Sequence, residues 1–276
     1  MSVHQSIGLA SVAVPAAIVG GLPIAVIDCA QSARLMIDAA LARRGSGQAP
    51  LTVTSANGQV ISMCARDAGI RRLFLSADLI HADGMPLVFA SRVMSRVALP
   101  ERVATTDLFH DVATLAQAQG ASFYLLGASA AVIEKAVHNV RQRYPRLRIA
   151  GFRHGYFGRD EEDAVVAEIN AARPDILWIG LGVPAEQNFA RRQRERLTQV
   201  GLVKTSGGLF DFLAGRNPRA PAWMQAAGLE WLYRILQEPR RLLLRYLTTN
   251  PHAIYLLLTR TSPDPMLNAR GPAPRD

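Results

Sequence analysis

The sequence predicts an α/β protein: a mainly parallel sheet flanked by helices, with a helical appendage at its C-terminus. Short β-branched runs alternate with helix-length stretches from residue 24 to about residue 205, and strands separated by helices of about 10–15 residues imply βαβ units. The runs "RPDILWIG" and "GLVKTSGG" are nearly continuous in apolar residues, as strands buried on both faces are. Past Trp223 the alternation stops, and only helical pattern remains in "WMQAAGLEWLYRILQEPRRLLLRYLTTNPHAIYLLLTR".

The elements follow in order. An apolar run at Leu9–Ile27 is interrupted by Pro15, Gly20, Gly21 and Pro23, and no Lys or Arg precedes it. A secretory signal needs a positive amino-terminal region, and a membrane span needs roughly 20 uninterrupted apolar residues. Residues 1–21 are therefore expected to be a flexible segment, leading into a strand at Ile24–Ile27. Further strands are expected at Leu51–Thr54, Ser122–Leu126, Arg148–Ala150, Ile176–Gly180 and Leu202–Thr205. Helices are expected at Ser32–Arg44, Gly58–Ala68, Pro86–Arg96, Asp107–Gln119, Ser129–Tyr144, Asp160–Ala172 and Ala185–Leu197. The α/β core then spans residues 22–222, the appendage residues 223–262, and a Pro-rich, disordered tail residues 263–276. In the appendage Leu232, Leu236, Leu243 and Leu247 recur at helical spacing among Arg234, Arg240, Arg241 and Arg245. That pattern suits a helix lying on an anionic bilayer, or a helix pair packed on the core with its arginines in water. As a separate unit, the appendage is expected to be removable after Gln237 without unfolding the core.

Composition narrows the function classes. With 276 residues, 49% hydrophobic and 19% charged, the chain can bury a real core and is no disordered protein. Cys29 and Cys64 are the only cysteines, which excludes a disulfide scaffold. The net charge is 31 − 22 = +9, with every cation but Lys135 and Lys204 an arginine. Arginine binds phosphate bidentately, although a GC-rich genome produces the same excess. A basic surface favours nucleic acid, nucleotide diphosphates or acidic lipid. The most basic run, "RRQRERL" at 191–197, carries no interleaved aromatic residues. It reads better as a solvated helix face than as the platform of a nucleic-acid binder.

In doubly wound sheets ligands bind beyond the carboxyl ends of the strands, where glycine lets backbone N–H groups approach phosphate. Three strand ends qualify: Gly127 and Ser129 in "YLLGAS", Gly180 and Gly182 in "WIGLGVPAEQ", and Gly207 and Gly208 in "KTSGGLFDFLAG". Together they favour a nucleotide or another phosphorylated ligand. "GLGVPA" matches a dinucleotide fingerprint, yet the following strand ends in Thr205–Ser206 rather than an acid, so a nicotinamide-dependent protein is a distant alternative. No metal site and no cofactor are expected: no two histidines stand four apart, and no D-x-D triplet occurs. The acids of "RDEEDA" at 159–164 suit the first turn of a helix. Asp83 in "LIHADGMPLVFASR" stands in an apolar setting. It is either the turn or cap residue of the following helix, or a desolvated carboxylate fit to act as a general base.

Several of these stretches, "ADGMPLV", "PERVATTDLF", "LLGAS", "HGYF", "GLGVP", "SGGLFDFLAG" and "RAPAWMQAAGLEWLYRILQEPRRLLLRY", occur in the order found in the WecG/TagA/CpsF-type glycosyltransferases. The chain resembles that family over roughly residues 22–250, and within it the xanthan-type β-1,4-glucosyltransferase branch. The resemblance implies a Rossmann-like fold and an inverting, metal-independent transferase. Such an enzyme moves a sugar from a UDP-sugar to a polyprenyl-diphosphate-linked saccharide in exopolysaccharide or surface polysaccharide synthesis. It works in the cytoplasm, peripherally on the anionic inner face of the bacterial inner membrane, with no nucleic acid involved. Homo-oligomerisation is left open, and the shared motifs do not separate glucose, N-acetylmannosamine and mannosaminuronic acid donors. By the same resemblance Asp83 is the base, and Ser55 and Asn57 take the places of the family's T-x-N. Arg102 matches the Arg of "ERV" and would stabilise departing UDP, with Arg216 or Arg219 as alternatives. Asp107 keeps the family spacing, and Asp211 belongs to the glycine-rich motif. After "GLGVP" the order Ala185-Glu186-Gln187 reverses the family's Gln-Glu, so either Glu186 or Gln187 faces the ligand.

Overall fold

A computed structural model describes residues 14–237, 239–262 and 265–266. The chain runs β1 (Ala16–Val19), β2 (Leu22–Ala25), α1 (Cys29–Ala42), β3 (Leu51–Ala56), α2 (Gly58–Arg66), α3 (Ala68–Leu75), β4 (Leu79–Ala82) and α4 (Met85–Met94). It continues through α5 (Thr105–Gln119), β5 (Ser122–Gly127), α6 (Ala130–Arg143), β6 (Arg148–Arg153), α7 (Glu162–Ala172), β7 (Ile176–Gly180), α8 (Ala185–Gln193) and β8 (Leu202–Thr205). Four helices and a short strand follow: α9 (Leu209–Leu213), α10 (Ala222–Ala226), α11 (Glu230–Gln237), α12 (Pro239–Thr259) and β9 (Pro265–Met266).

Six strands form one sheet in the order β4-β3-β8-β7-β5-β6, and every neighbouring pair is parallel. The architecture is α/β and Rossmann-like, with a helical C-terminal part, as the alternation predicts. One face packs on α1, α5 and α6 through Met36, Ile37, Phe109, Val112, Ile133 and Val137. There the Trp178 ring meets Phe109 at 5.0 Å and Phe123 at 5.8 Å. The other face packs on α7 and α8 through Val165, Ile169 and Phe189. Full burial of such a side chain contributes about 1.5–3 kcal/mol, so these two layers hold the sheet rigid.

Three findings depart from the sequence reading. Residues 16–21, expected to be flexible, belong to a hairpin whose strands β1 and β2 pair from Ala16↔Ala25 to Val19↔Leu22. Gly20 and Gly21 turn it at φ +58° and +84°, the geometry that a two-residue hairpin loop needs and that glycine adopts without strain. The expected strand at Ile24–Ile27 is β2 of this hairpin and not a member of the parallel sheet; the sheet edge is β4, a four-residue strand too short to show periodicity. A further helix, α3, follows α2 because Asp67 caps it, accepting hydrogen bonds from Gly69 N at 2.6 Å and Ile70 N at 3.1 Å.

The appendage is tied to the core. Ala253, Leu256 and Leu257 of α12 are buried, and Leu256 and Leu257 share a cluster with Ile61, Leu87 and the hairpin. Gly20 N donates to Thr261 Oγ1 at 3.2 Å, and β9, within the segment expected to be disordered, pairs with β1. The rest of that segment lies outside the described residues. Since loss of a buried leucine side chain costs about 2–5 kcal/mol, truncation after Gln237 would destabilise the core rather than spare it. No helix among the described residues is long and apolar enough to cross a membrane.

Candidate active site

In a parallel sheet all strands end on the same edge, and the crevice there opens where the chain order reverses. Here that edge, at the ends of β4, β3 and β8, bears a cavity of about 440 Å3 roofed by α11 and α12. Asp83 sits at its wall, one residue past β4, with its N–H bonded to Ala56 O at 2.8 Å. The N-cap of α4 is Gly84, with no side-chain cap bond, so Asp83 is not the capping residue. Its Oδ2 instead accepts the Thr105 hydroxyl at 3.2 Å. Thr105 Oγ1 lies 3.3 Å from Ser55 Oγ, and Ser55 Oγ accepts from Lys204 Nζ at 2.8 Å. Lys204 is 0% exposed and also donates to Thr205 O at 2.7 Å.

The electrostatics of this cluster follow from burial. Burial lifts the Asp83 carboxyl above its usual range, opposed by the positive charges of Lys204 and Arg102. Burial likewise brings Lys204 down to about 8, against the pull of Asp83 and Glu186. Glu186 is pushed up to about 7, again chiefly by burial, while the Gly207 N–H and Lys204 favour its charged form. A cavity holding two carboxylates of raised pKa beside a buried ammonium is an environment for moving protons.

Comparison with known proteins fits this geometry. The sequence model described as glycosyl transferase WecG/TagA/CpsF family matches residues 17–264. The chain belongs to this family. It is 30% identical over 192 residues to N-acetylglucosaminyldiphosphoundecaprenol N-acetyl-beta-D-mannosaminyltransferase of Bacillus subtilis (strain 168), covering 68% of this chain and 72% of that protein. The family match begins inside β1 and runs past α12, so hairpin and appendage belong to the shared glycosyltransferase unit.

Within this glycosyltransferase, Ser55, Asn57, Asp83, Arg102, Glu186, Gly207 and Gly208 all line the cavity. Asn57 also caps α2, its Oδ1 accepting from Val60 N at 3.1 Å. Glu186 faces the cavity, whereas Gln187 is buried behind it and donates to Thr54 Oγ1 at 3.2 Å. The Gly207 N–H is taken by the Glu186 carboxylate, at 2.9 and 3.2 Å.

Gly127, Ser129, Gly180, Gly182, Asp107 and Asp211 do not line the cavity. The strand order explains the first four: β5 and β7 lie on the far side of β8, while the roof closes over β4, β3 and β8. Gly127 and Gly180 serve close packing, since a Cβ on Gly127 would meet Gly180 O at 2.3 Å and one on Gly180 would meet Phe210 at 2.7 Å. Asp107 pairs with Arg219 at 2.6 Å, and Asp211 lies 3.7 Å from Arg216.

The arginines are arranged in two ways. Arg102 donates to Glu230 of α11 at 2.5 Å and to Gln225 of α10 at 3.0 Å, and Arg219 reaches the same Glu230 at 3.2 Å. Both therefore clasp the appendage to the core. Arg234 lines the cavity, lies 5.6 Å over the Phe212 ring and makes no ion pair among the described residues. The basic run at 191–197 is neutralised in part, Arg194 by Asp78 at 2.8 Å and Arg196 by Asp163 at 2.6 Å. No group of three or more His, Cys, Asp or Glu among the described residues is placed to hold a metal ion. The sequence reading missed Lys204, Thr105 and Glu230; the signal for Lys204 was a lone lysine inside a strand read as buried.

Proposed function

We propose that this glycosyltransferase moves a sugar, with inversion and without a metal, from a UDP-sugar to a polyprenyl-diphosphate-linked saccharide in surface polysaccharide synthesis. The observation that carries the mechanism is Asp83, at the cavity wall with Thr105 donating to its Oδ2 and no described residue donating to its Oδ1. Asp83 takes the proton of an acceptor hydroxyl as the hydroxyl oxygen attacks the anomeric carbon. The carbon–oxygen bond to UDP breaks on the opposite face, its electron pair leaving on the β-phosphate and the centre inverting. Arg234, over Phe212 and without an ion pair among the described residues, and Arg102 are the cations that face this developing charge. The relative from Bacillus subtilis is named for an acceptor of the same lipid class, which supports the polyprenyl assignment.

Such an acceptor stays in its membrane, and the appendage offers a surface to meet it. Trp223, Leu236, Leu244 and Leu247 are 66%, 71%, 72% and 63% exposed, in a segment whose sequence is rich in arginine. This supports peripheral docking on the anionic inner face of the bacterial membrane, where each basic residue adds about 1 kcal/mol.

A panel of UDP-sugars offered with a lipid-diphosphate saccharide, with the product anomer read by NMR, tests the reading. One donor should be transferred with inversion. Transfer from none of them, or retention of configuration, would overturn it.

A further inference from the structure

Lysine is almost never fully buried without partners, and the two lysines of this arginine-rich chain are unlike: Lys204 is 0% exposed, in the central strand β8. Parallel pairing sets it beside Val53 of β3 and Trp178 of β7. Nothing in packing asks for a cation there. Its partners, however, form one hydrogen-bonded file: Lys204 Nζ to Ser55 Oγ at 2.8 Å, Ser55 Oγ to Thr105 Oγ1 at 3.3 Å, and Thr105 Oγ1 to Asp83 Oδ2 at 3.2 Å. Four separate elements contribute to this file, and it ends on the carboxylate assigned as base.

We propose that Lys204 is a positioning residue for sugar transfer: its buried ammonium, acting through Ser55 and Thr105, keeps the Asp83 carboxylate ionised and fixed at the cavity wall. This rests on the reading of Asp83 as the base. A half-buried carboxylate left alone would take up a proton and could no longer accept one. Lys204 supplies the opposing charge from behind the wall, leaving the cavity side of Asp83 free. Other charged and titratable groups face the pair. His81 of β4 is held neutral by burial and by Lys204, its Nε2 lying 3.0 Å from Ser32 Oγ. Glu186 of α8 competes for the ammonium. Arg102 before α5 and Arg219 before α10 are drawn to Glu230 of α11, which leaves Lys204 the cation most committed to Asp83, the strongest of the charges favouring its ionised form.

The test is the pH profile of kcat/KM in Lys204→Met and Lys204→Gln, with Asp83→Asn alongside. Glutamine keeps an N–H donor without the charge and covers the case in which the methionine variant fails to fold, with circular dichroism reporting folding. The acid limb should move upward, by up to the about 1–3 pH units that loss of a nearby opposite charge produces, with the rate recovering at high pH. A limb at the wild-type position in a folded variant, whatever the rate, overturns the proposal while leaving Asp83 as base. Wild-type turnover in Asp83→Asn removes the base itself, and Lys204 with it.

Discussion

Replacing Glu186 by glutamine should make this protein more stable above neutral pH while leaving its chemistry running. Glu186 is 2% exposed, and burial lifts its carboxyl from the ordinary 4.5 to about 7. The folded state thus holds the proton more tightly than the unfolded chain. The resulting stabilisation is complete below about pH 4.5 and is lost as the pH rises through about 7. That displacement corresponds to about 3 kcal/mol, at about 1.4 kcal/mol for each tenfold change in proton affinity. Glutamine keeps the length of the side chain and one acceptor oxygen for the Gly207 N–H, which Glu186 now binds at 2.9 Å, but it has no proton to lose. Asp83 is displaced in the same direction and is common to both proteins, so it cancels in the comparison. Lys204, brought down to about 8 against the pull of Glu186, moves lower still in the variant. A lysine held below its ordinary value adds stability as pH rises through its folded pKa, so this widens the difference in the same direction. Urea unfolding at about pH 5 and about pH 8 should show a fall in the wild type that exceeds that of the variant by up to about 3 kcal/mol. Equal falls would refute the reasoning. The same variant separates the two cavity carboxylates: with Asp83 as base, Glu186→Gln continues to transfer sugar.

Other outcomes are expected on the same grounds. Asp83→Asn should lower turnover by about 10²–10⁴-fold with UDP binding within a few-fold, as titration would show; undiminished turnover would remove Asp83 from the mechanism. Transfer should persist in excess EDTA, and restoration of chelated enzyme by magnesium or manganese would contradict metal independence. Changing Leu244 and Leu247 together to serine should weaken sedimentation with anionic liposomes and transfer to lipid acceptor, with the thermal midpoint nearly unchanged because both side chains are exposed. Unaltered pelleting would count against docking through α12.

How much of this was legible in the chain depends on the range of the interaction. Hydrophobic periodicity is local, so the alternation of strand and helix, the buried pair around Trp178 and Lys204, and the all-helical end past Trp223 could be read directly. The apolar setting of Asp83 was visible too, although the residues alone favour a cap or turn role over a base, and only Gly84 as the N-cap removes that preference. The hairpin was hidden in plain composition: Gly20-Gly21 between two apolar runs is a turn signal, outweighed by the pattern of an interrupted membrane segment. Strand order was not legible, and most of the site hangs on it. In sequence Gly127, Gly180 and Gly207 are alike, each a glycine at or just past the end of an expected strand. Only the order β4-β3-β8-β7-β5-β6 makes the first two packing contacts and brings the third to the cavity. The same order sets β3 against β8, so that Ser55 receives Lys204 and, through Thr105, meets Asp83. Which strands lie side by side is decided by packing across the whole core, and no window of neighbouring residues contains that information.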